Sequence, residues 1–545
     1  MQSASWKSLA WLLCVGCVQR PAPAVDEGTT LANCNEGVEA STDVVLTERG
    51  PVRGVASPSG RAFKGIPFAR PPVGEGRWRA PVEDMSCFEG VKDGTPFGPM
   101  CPHIQQEQGK AFDASAPVVG SEDCLSLNVF TPSDAAPGSQ LPVLFFIHGG
   151  GNTVGSSSTE VGSGISLFDG TQLAQRGRVV VVTTQYRLGA LGFLALPLET
   201  DGSVSGNYGL LDQQAALKWV QRNIAAFGGD ASRVLLFGES AGAVDTCMHL
   251  AMKGSAGLFH RAILQSGSCA AAAPLSQRRT EAAKWLSGTG CEGHNDVAAC
   301  LRRLTPEALI RAFPVEVVVG ARRGDVSWGP TVDGVVLPEG PLDAMLNGRH
   351  HPVPILVGSN TEETSLSTPL ISTEAEYRQA LSALVGPSRV EEVVTRYPIA
   401  TYGTPRKALI QVTTDAFFGC QARLIARAAS LSKAAPTYRY LFARAPTLLG
   451  AYHGLELVYV FQKVEALTAT PKAQDLAVQE AMMQSWTNFA YTGALLPTQA
   501  LPWSEYASSE PLLQIDAVSS QVSGWRNSEC DFWDSLLSKA PPPPP

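Results

Sequence analysis

The chain has 545 residues, of which 44% are hydrophobic, and a formal net charge of −8 at pH 7. This content of apolar residues is sufficient for a large core and excludes an intrinsically disordered chain. Because the basic residues are scattered along the sequence, no positive face suited to nucleic acid is expected.

The N-terminal segment is typical of an export signal. Lys7 precedes a short apolar stretch, Leu9 to Val18, well below the ~20 apolar residues needed to span a bilayer. The run from Cys14 to Cys17 resembles a bacterial lipoprotein cleavage box, with Cys14 at a position where such boxes usually have Leu. We therefore predict a signal peptide at 1–17, a linker at 18–42, and membrane contact only through a lipid on Cys17. Ordinary cleavage, giving a periplasmic or secreted protein, is the alternative.

Continuous apolar runs predict strands that are buried on both faces. The clearest are Leu141 to Ile147 and Val179 to Tyr186, which fit parallel strands covered by helices. Apolar residues recur at helical spacing in Asn207 to Phe227, which precedes a third run at Val234. Shorter strand candidates are Leu125 to Phe130, Ala262 to Gln265, Ile355 to Val357 and Tyr438 to Ala443. This alternation predicts an α/β fold with a large, mainly parallel central sheet covered by helices.

Antiparallel and helical additions are expected around this sheet. Residues 43–55 predict a β-hairpin that turns at 49–51, and Ala62 to Phe68 predicts a further extended piece; together they are expected to form an antiparallel edge. The stretches 270–350 and 373–434 predict helical insertions. Since no repeat or marked change in composition interrupts residues 43–538, we expect one domain there, followed by a polyproline tail at 539–545.

The stretch Val234 to Gly242, VLLFGESAG, predicts a nucleophile elbow. An aliphatic run ends in Gly-x-Ser-x-Gly, and Ala243 to Met252 can continue as a helix. In such a strand, sharp turn and helix, close packing requires Gly on both sides and leaves the Ser hydroxyl exposed. Ser240 is therefore the candidate nucleophile. A motif this short also occurs by chance, so the chain must supply a base, an acid and an anion site as well.

Chain order narrows the choice of base and acid. In an α/β-hydrolase the order is nucleophile, acid and His, each on a loop that follows a strand. His453, in GAYHGLEL, follows the strand candidate at 438–443, where the base belongs. Glu362 and Glu363 follow the strand candidate at 355–357, and either could fix the tautomer of the His and stabilise its charged form. Spacing alone does not decide which of the two Glu residues is the acid.

The run His148 to Gly151, HGGG, ends a predicted strand and supplies the anion site. The backbone N–H groups of Gly150 and Gly151, with that of Ala241 behind the nucleophile, can converge on a carbonyl oxygen as it becomes an oxyanion. A phosphate-binding loop is not expected, since no Gly-Lys-Ser/Thr follows.

Cysteine usage agrees with export. Of the 12 Cys, Cys14 and Cys17 lie in the predicted signal, and the even number that remains suggests disulfides. Counting does not give their connectivity. These remaining Cys form no CxxC pair and have no His at zinc-like spacing, so we expect no metal site, and no motif calls for another cofactor.

Seven segments together resemble the type B carboxylesterases, the α/β-hydrolase family that includes the cholinesterases. They are SEDCLSLNVF (121–130), FFIHGGG (145–151), NYGLLDQQAALKWVQRNIAAFGGD (207–230), GESAGA (238–243), ILQSGS (263–268), GSNTEETS (358–365) and YHGLELVYVF (452–461). The resemblance runs from about residue 43 to 537. It implies an α/β-hydrolase fold and a small-molecule ester as substrate.

The resemblance also implies roles for the residues of this chain that match the family's motifs. The resemblance implies Glu363 as the acid, because the second acidic residue of its box is the family's catalytic Glu, and it implies a supporting position for Ser266 near the triad. It also implies the disulfides Cys101 to Cys124, Cys291 to Cys300 and Cys420 to Cys530. By elimination, the remaining pairs are Cys34 with Cys87 and Cys247 with Cys269.

One departure concerns the substrate. Cholinesterases carry a choline-binding Trp in the loop closed by the first disulfide, whereas the loop from Cys101 to Cys124 has Phe112 as its only aromatic residue. Recognition of a quaternary ammonium group is therefore not implied. Glu239, beside the nucleophile, is either a carboxylate that supports the site or a solvated charge.

The sequence thus predicts an exported serine hydrolase that cleaves carboxylic esters through an acyl-enzyme formed by Ser240, Glu363 and His453. Alternatives are a lipase or sterol-esterase specialisation, and a non-enzymatic adhesion or binding protein on the same fold. Neither the oligomeric state nor the natural substrate follows from the sequence.

Overall fold

One central sheet of eleven strands organises the chain. The structure is a computed structural model that describes residues 34–106, 113–162, 164–198, 206–315, 327–468, 470–498 and 500–536. In chain order, the strands of the sheet are β1 (Val55–Ser57), β2 (Gly60–Pro67), β3 (Ser126–Thr131), β4 (Leu141–Ile147), β5 (Val180–Thr184), β6 (Gly229–Glu239), β7 (Arg261–Gln265), β8 (Ile355–Asn360), β9 (Thr437–Phe442), β10 (Pro511–Ile515) and β11 (Ser520–Ser523).

The middle of this sheet is parallel and its two edges are antiparallel. Across the sheet the strands lie in the order β11, β10, β9, β8, β7, β6, β4, β5, β3, β2, β1. Every neighbouring pair from β10 to β5 is parallel, whereas β11, β3, β2 and β1 run antiparallel to the strands beside them. The carboxyl ends of β6, β8 and β9, from which the candidate catalytic loops leave, therefore lie at the same edge of the sheet.

Alternate side chains of the parallel strands enter two different cores. In β4, Val143, Phe145 and Ile147 belong to one apolar cluster, and Leu144 and Phe146 belong to the cluster on the other face. A strand that is covered on both faces has no polar side, which explains the unbroken apolar run LPVLFFI.

Helices cover both faces of the sheet and form the insertions. They are α1 (Thr171–Gly177), α2 (Gly189–Phe193), α3 (Tyr208–Asn223), α4 (Ala241–Ala251), α5 (Leu275–Ser287), α6 (Val297–Arg303), α7 (Pro306–Arg311), α8 (Pro341–Leu346), α9 (Glu374–Val385), α10 (Val390–Arg396), α11 (Ile399–Tyr402), α12 (Pro405–Thr414), α13 (Cys420–Leu431), α14 (Leu455–Val460), α15 (Ala473–Thr492) and α16 (Asn527–Leu536). Short 3₁₀ turns occur at Gly74–Gly76, Ile224–Phe227, Lys253–Ser255, Pro387–Arg389 and Val464–Ala466, and a π-helix at Asp415–Gly419 joins α12 to α13.

The hairpin near the N-terminal end is present, but its place differs from the prediction. Val44–Thr47 pairs antiparallel with Gly50–Arg53, so the turn falls at residues 48 and 49. This hairpin is not part of the edge of the central sheet; it forms a separate small sheet with Lys92–Asp93. The antiparallel edge is made instead by β1, β2 and β3. The remaining two-stranded pieces are His103–Ile104 with Val118–Val119, Glu160–Val161 with Ile165–Ser166, and Ala273–Pro274 with Thr331–Val332.

Within the described residues, five disulfides link cysteines that are 9 to 110 residues apart. The pairs are Cys34–Cys87, Cys101–Cys124, Cys247–Cys269, Cys291–Cys300 and Cys420–Cys530, the same pairs that were expected from the resemblance and by elimination. Disulfides persist in oxidising compartments, so this number indicates an exported protein.

Helices in the described part of the chain are all too short or too polar to cross a membrane. The predicted signal peptide with Cys17, most of the predicted linker and the polyproline tail lie outside the described residues.

Candidate active site

Ser240 occupies a strained turn between β6 and α4. Its backbone has φ 56° and ψ −122°, a conformation that L-residues rarely adopt and that requires support from its surroundings. The neighbours permit the turn because they lack side chains: a Cβ at Gly238 would lie 2.3 Å from the Gly242 carbonyl oxygen, and one at Gly242 would lie 2.0 Å from that of Ile147. The half-buried Ser240 is therefore presented at the carboxyl edge of the sheet, as a nucleophile elbow requires.

The structure brings Glu363 and His453 together at this edge. Glu363 Oε2 lies 2.7 Å from His453 Nδ1, and the carboxylate is 1% exposed. The other oxygen, Oε1, accepts hydrogen bonds from Ser266 Oγ at 2.6 Å and from the backbone N–H of Asn360 at 2.7 Å. The Glu363 carboxylate is thus fixed on both oxygens and can orient the imidazole. Glu362 points elsewhere, since its carboxylate accepts a hydrogen bond from the backbone N–H of Ala451 at 2.8 Å.

The Nε2 side of His453 faces Glu239. Glu239 Oε1 lies 3.1 Å from Nε2, but their relative directions do not make a hydrogen bond, and both atoms are buried without another partner. His453 Nε2 makes no hydrogen bond to Ser240. The ring of Phe418 packs against the imidazole with a centroid distance of 4.9 Å. In hydrolases, catalytic hydrogen bonds often tighten only when substrate binds.

Buried carboxylates set the electrostatics of the site. Burial raises the pKa of Glu239 to about 8, opposed by the nearby charge of His453. Burial alone would lower the pKa of His453, but the charge of Glu239, the hydrogen bond to Glu363 and the charge of Glu456 outweigh it and raise that pKa to about 9. The pocket therefore favours an imidazolium, the charge that His453 would carry after taking a proton from a nucleophile.

Glu456 is a residue of the site that the sequence reasoning missed. It is fully buried and accepts hydrogen bonds from Asn360 Nδ2 at 2.6 Å and from Gln265 Nε2 at 3.1 Å. Burial, with the nearby charge of Glu363, raises its pKa to about 7. The available signal was a lone acidic residue in the otherwise apolar run LELVYV.

The HGGG loop follows β4 and passes beside the elbow. Gly150 and Gly151 have φ of 109° and 62°, and a Cβ at Gly150 would lie 2.1 Å from the Val154 carbonyl oxygen. The Gly150 carbonyl accepts hydrogen bonds from the N–H groups of Thr153 and Val154, both at 3.0 Å, so the loop is a tight turn. Ala241 begins α4, and its N–H is among those at a helix start that lack an intrahelical acceptor. The three predicted donors thus belong to two elements in direct contact.

Across the part of the chain that the structure describes, no group of three His, Cys, Asp or Glu side chains is placed to hold a metal ion.

The fold and the residues at the elbow define an α/β-hydrolase of the serine ester hydrolase class. The model of the carboxylesterase family matches residues 41–533. Para-nitrobenzyl esterase from Bacillus subtilis (strain 168) is 35% identical over 475 residues, which cover 85% of this chain and 92% of the relative. Carboxylesterase 1C from Rattus norvegicus is 34% identical over 549 residues, covering 93% of this chain and 95% of the relative. A solved structure of a thermophilic PNB esterase superposes with a TM-score of 0.75 and 32% identity, covering 90% of this chain and 100% of that one. The chain belongs to the carboxylesterase family.

Proposed function

We propose that this carboxylesterase acts through an acyl-enzyme in which Ser240 is the nucleophile, His453 the general base and acid, and Glu363 the carboxylate that orients His453. The observation that carries this proposal is the position of His453, which Glu363 holds at 2.7 Å on Nδ1, while Nε2 makes no hydrogen bond and lies 3.1 Å from Glu239, the residue directly before Ser240. A base that is oriented on one nitrogen and makes no hydrogen bond on the other can take the proton of a serine.

In the first half of the reaction, His453 Nε2 takes the proton of Ser240 as Oγ attacks the ester carbonyl carbon. The developing oxyanion accepts hydrogen bonds from the N–H groups of Gly150, Gly151 and Ala241. When the tetrahedral intermediate collapses, the C–O bond to the alcohol breaks and His453 gives the proton to the leaving alkoxide. Water then attacks the acyl-enzyme with His453 as base, and the acid leaves as Ser240 regains its proton.

Replacement of the nucleophile tests the assignment. We expect Ser240→Ala to abolish hydrolysis of a short p-nitrophenyl ester and labelling by a fluorophosphonate, while the thermal unfolding temperature stays near that of the wild type. A wild-type chain that takes up no fluorophosphonate would favour a binding protein on this fold, and a Ser240→Ala variant that hydrolyses at the wild-type rate would exclude Ser240. A profile of acyl-chain lengths on the active protein separates a general esterase from a lipase or sterol esterase.

For location, we propose an exported protein that is anchored by a lipid on Cys17. The five disulfides support export, and the sequence around Cys17 supports the anchor. We expect the full chain expressed in bacteria to partition with membranes and Cys17→Ala to move it to the soluble fraction. Equal partitioning of the two proteins would contradict a lipid anchor.

A further inference from the structure

A chain of buried polar side chains joins the HGGG loop to the nucleophile helix. Asn152, directly after Gly151, is completely buried and has φ 57°. Its Nδ2 donates a hydrogen bond at 3.0 Å to Oδ1 of Asp245, which is completely buried on α4 five residues beyond Ser240. The loop and the helix are thus connected by a bond between an amide and a carboxylate, shielded from water.

Both ends of this bond are held by further partners. On the loop side, the Tyr186 hydroxyl lies 2.9 Å from the His148 carbonyl oxygen and 3.1 Å from Asn152 Oδ1, and the Asn152 carbonyl accepts a hydrogen bond from the N–H of Gly189 at 2.7 Å. The Tyr186 ring also stacks on His148, with centroids 4.5 Å apart. The loop is therefore anchored at its first residue and at the residue after its last glycine.

On the helix side, Asp245 Oδ2 accepts a hydrogen bond from Gln213 Nε2 at 2.7 Å. Gln213 Oε1 lies 3.0 Å from Nε2 of His249, one turn further along α4, and His249 Nδ1 lies 2.8 Å from Ser255 Oγ. Burial lowers the pKa of His249 to about 3, so this imidazole is neutral at physiological pH and can complete the network with one N–H donor.

The hydrogen bond between Asn152 and Asp245 joins the two elements that carry the N–H donors of the anion site. Two donors of the anion site, the N–H groups of Gly150 and Gly151, lie on the loop, and the third, from Ala241, lies on the helix. Oxyanion stabilisation requires all donors at about 2.7 to 3.1 Å from one point, so the relative placement of loop and helix decides its strength. We propose that Asn152 and Asp245 are positioning residues that hold the two halves of the oxyanion hole in register, a role that rests on the proposed function.

The glycine contacts of the same two elements explain why such a link is needed. The absence of a side chain at Gly242 lets the helix approach the backbone of Ile147, and with no side chain at Gly149 the loop lies beside Ser240. Close approaches at glycines fix distance but involve few directional groups, whereas an amide to carboxylate hydrogen bond also fixes orientation. Asn152 and Asp245 supply this directional link.

The test compares Asn152→Ala, Asp245→Leu and the double variant with the wild type. Asp245→Leu keeps the approximate size of the side chain but has no oxygen to accept from Asn152 Nδ2, so it breaks the same bond with little change in volume. We expect each single variant to lower kcat/KM for a p-nitrophenyl ester by about 10-fold to 100-fold through kcat, with KM changed by less than about twofold. Affinity for an aryl trifluoromethyl ketone, which adds to serine and places an oxyanion in the hole, should fall by a similar factor.

A matched control removes a similar bond far from the site. Asn223, at the end of α3, is 2% exposed and donates a hydrogen bond from Nδ2 to Glu48 Oε1 at 2.8 Å. We expect Asn223→Ala to lower stability without changing kcat or affinity for the ketone, since it does not touch the loop. A positioning role also predicts that the kcat of the double variant is no lower than that of the slower single variant, because each change alone already removes the same hydrogen bond.

Two results would overturn the inference: single variants with wild-type kcat and ketone affinity, or losses of kcat that multiply in the double variant. If Asn152→Ala does not fold, Asp245→Leu carries the same comparison. Failure of the proposed function has a different signature, in which the wild type itself shows no hydrolysis that depends on Ser240.

Discussion

Glu239 and His453 form an unusual pair, since a buried carboxylate faces the nitrogen that accepts a proton in the proposed mechanism. Their atoms are 3.1 Å apart, and the Glu239 charge is the largest influence that raises the pKa of His453 against burial. The base works only when His453 is neutral, so kcat/KM should rise as this proton is lost. We predict that Glu239→Gln lowers the pKa of His453 and moves the acidic limb of the kcat/KM profile to lower pH by about one unit or more.

The profile is measured with a neutral p-nitrophenyl ester between pH 5 and about 10, a range that spans the ordinary pKa of His and the raised one. Glu480→Gln is a suitable control, because this carboxylate pairs with Arg176 at the surface, away from the site. An acidic limb that stays in place in Glu239→Gln would mean that Glu239 does not control His453.

Single residues of the site differ in how well the sequence reveals them. Ser240, Glu363 and His453, the proposed triad, follow strands in a fixed chain order, so pattern and family resemblance point to them. Asn152 and Glu456 have no such pattern, because each acts through contacts with segments far away in the sequence. Asn152 meets Asp245 across 93 residues and Glu456 meets Gln265 across 191, and such contacts arise only when the sheet assembles.

At the scale of an element, α9 has a complete capping box. The Thr373 side chain accepts a hydrogen bond from the N–H of Glu376 at 3.2 Å, and the Glu376 carboxylate accepts one from the N–H of Thr373 at 2.9 Å. Together they satisfy two N–H groups that the helix itself leaves without a partner. We predict that Thr373→Ala destabilises the protein by about 1 kcal/mol, measured as the free energy of unfolding in urea.

The control for this change is Thr395→Ala in α10. The Thr395 hydroxyl donates only to the carbonyl of Glu391 in its own helix, so its loss leaves no N–H unsatisfied. Ala is also the better helix former, and the control should be neutral or slightly stabilising. Equal losses in the two variants would assign the effect to the general loss of a threonine rather than to the cap.

The elements of the sheet show where sequence patterns succeed and fail. Strands β4 and β5 are covered on both faces, and the unbroken runs of aliphatic and β-branched residues in them predict them directly. Strand β11 has four residues, three of them exposed, and β10 begins with Pro and contains Gln; neither has a periodicity that separates it from a loop. The hairpin at 44–53 was predicted as a local unit, but its partner, Lys92–Asp93, is a tertiary contact that the local pattern does not contain.

At the scale of the whole molecule, five disulfides close loops of very different length. Cys420 and Cys530 are 110 residues apart, whereas Cys291 and Cys300 are 9 apart. In the chain-entropy model a disulfide stabilises by restricting the unfolded chain, by about 5 kcal/mol for the longer loop and about 2.5 kcal/mol for the shorter one. The longer link also joins α16 to the start of α13, next to the π-helix that carries Phe418 onto His453.

We therefore predict that replacing both Cys420 and Cys530 by Ala lowers the free energy of unfolding about 2 kcal/mol more than replacing Cys291 and Cys300, measured by denaturant titration under non-reducing conditions. Because the longer link also supports the wall beside His453, esterase activity should be lost at a lower denaturant concentration than the bulk of the structure in that variant alone. Equal losses of stability would mean that native contacts, and not restriction of the unfolded chain, set the contribution of these disulfides.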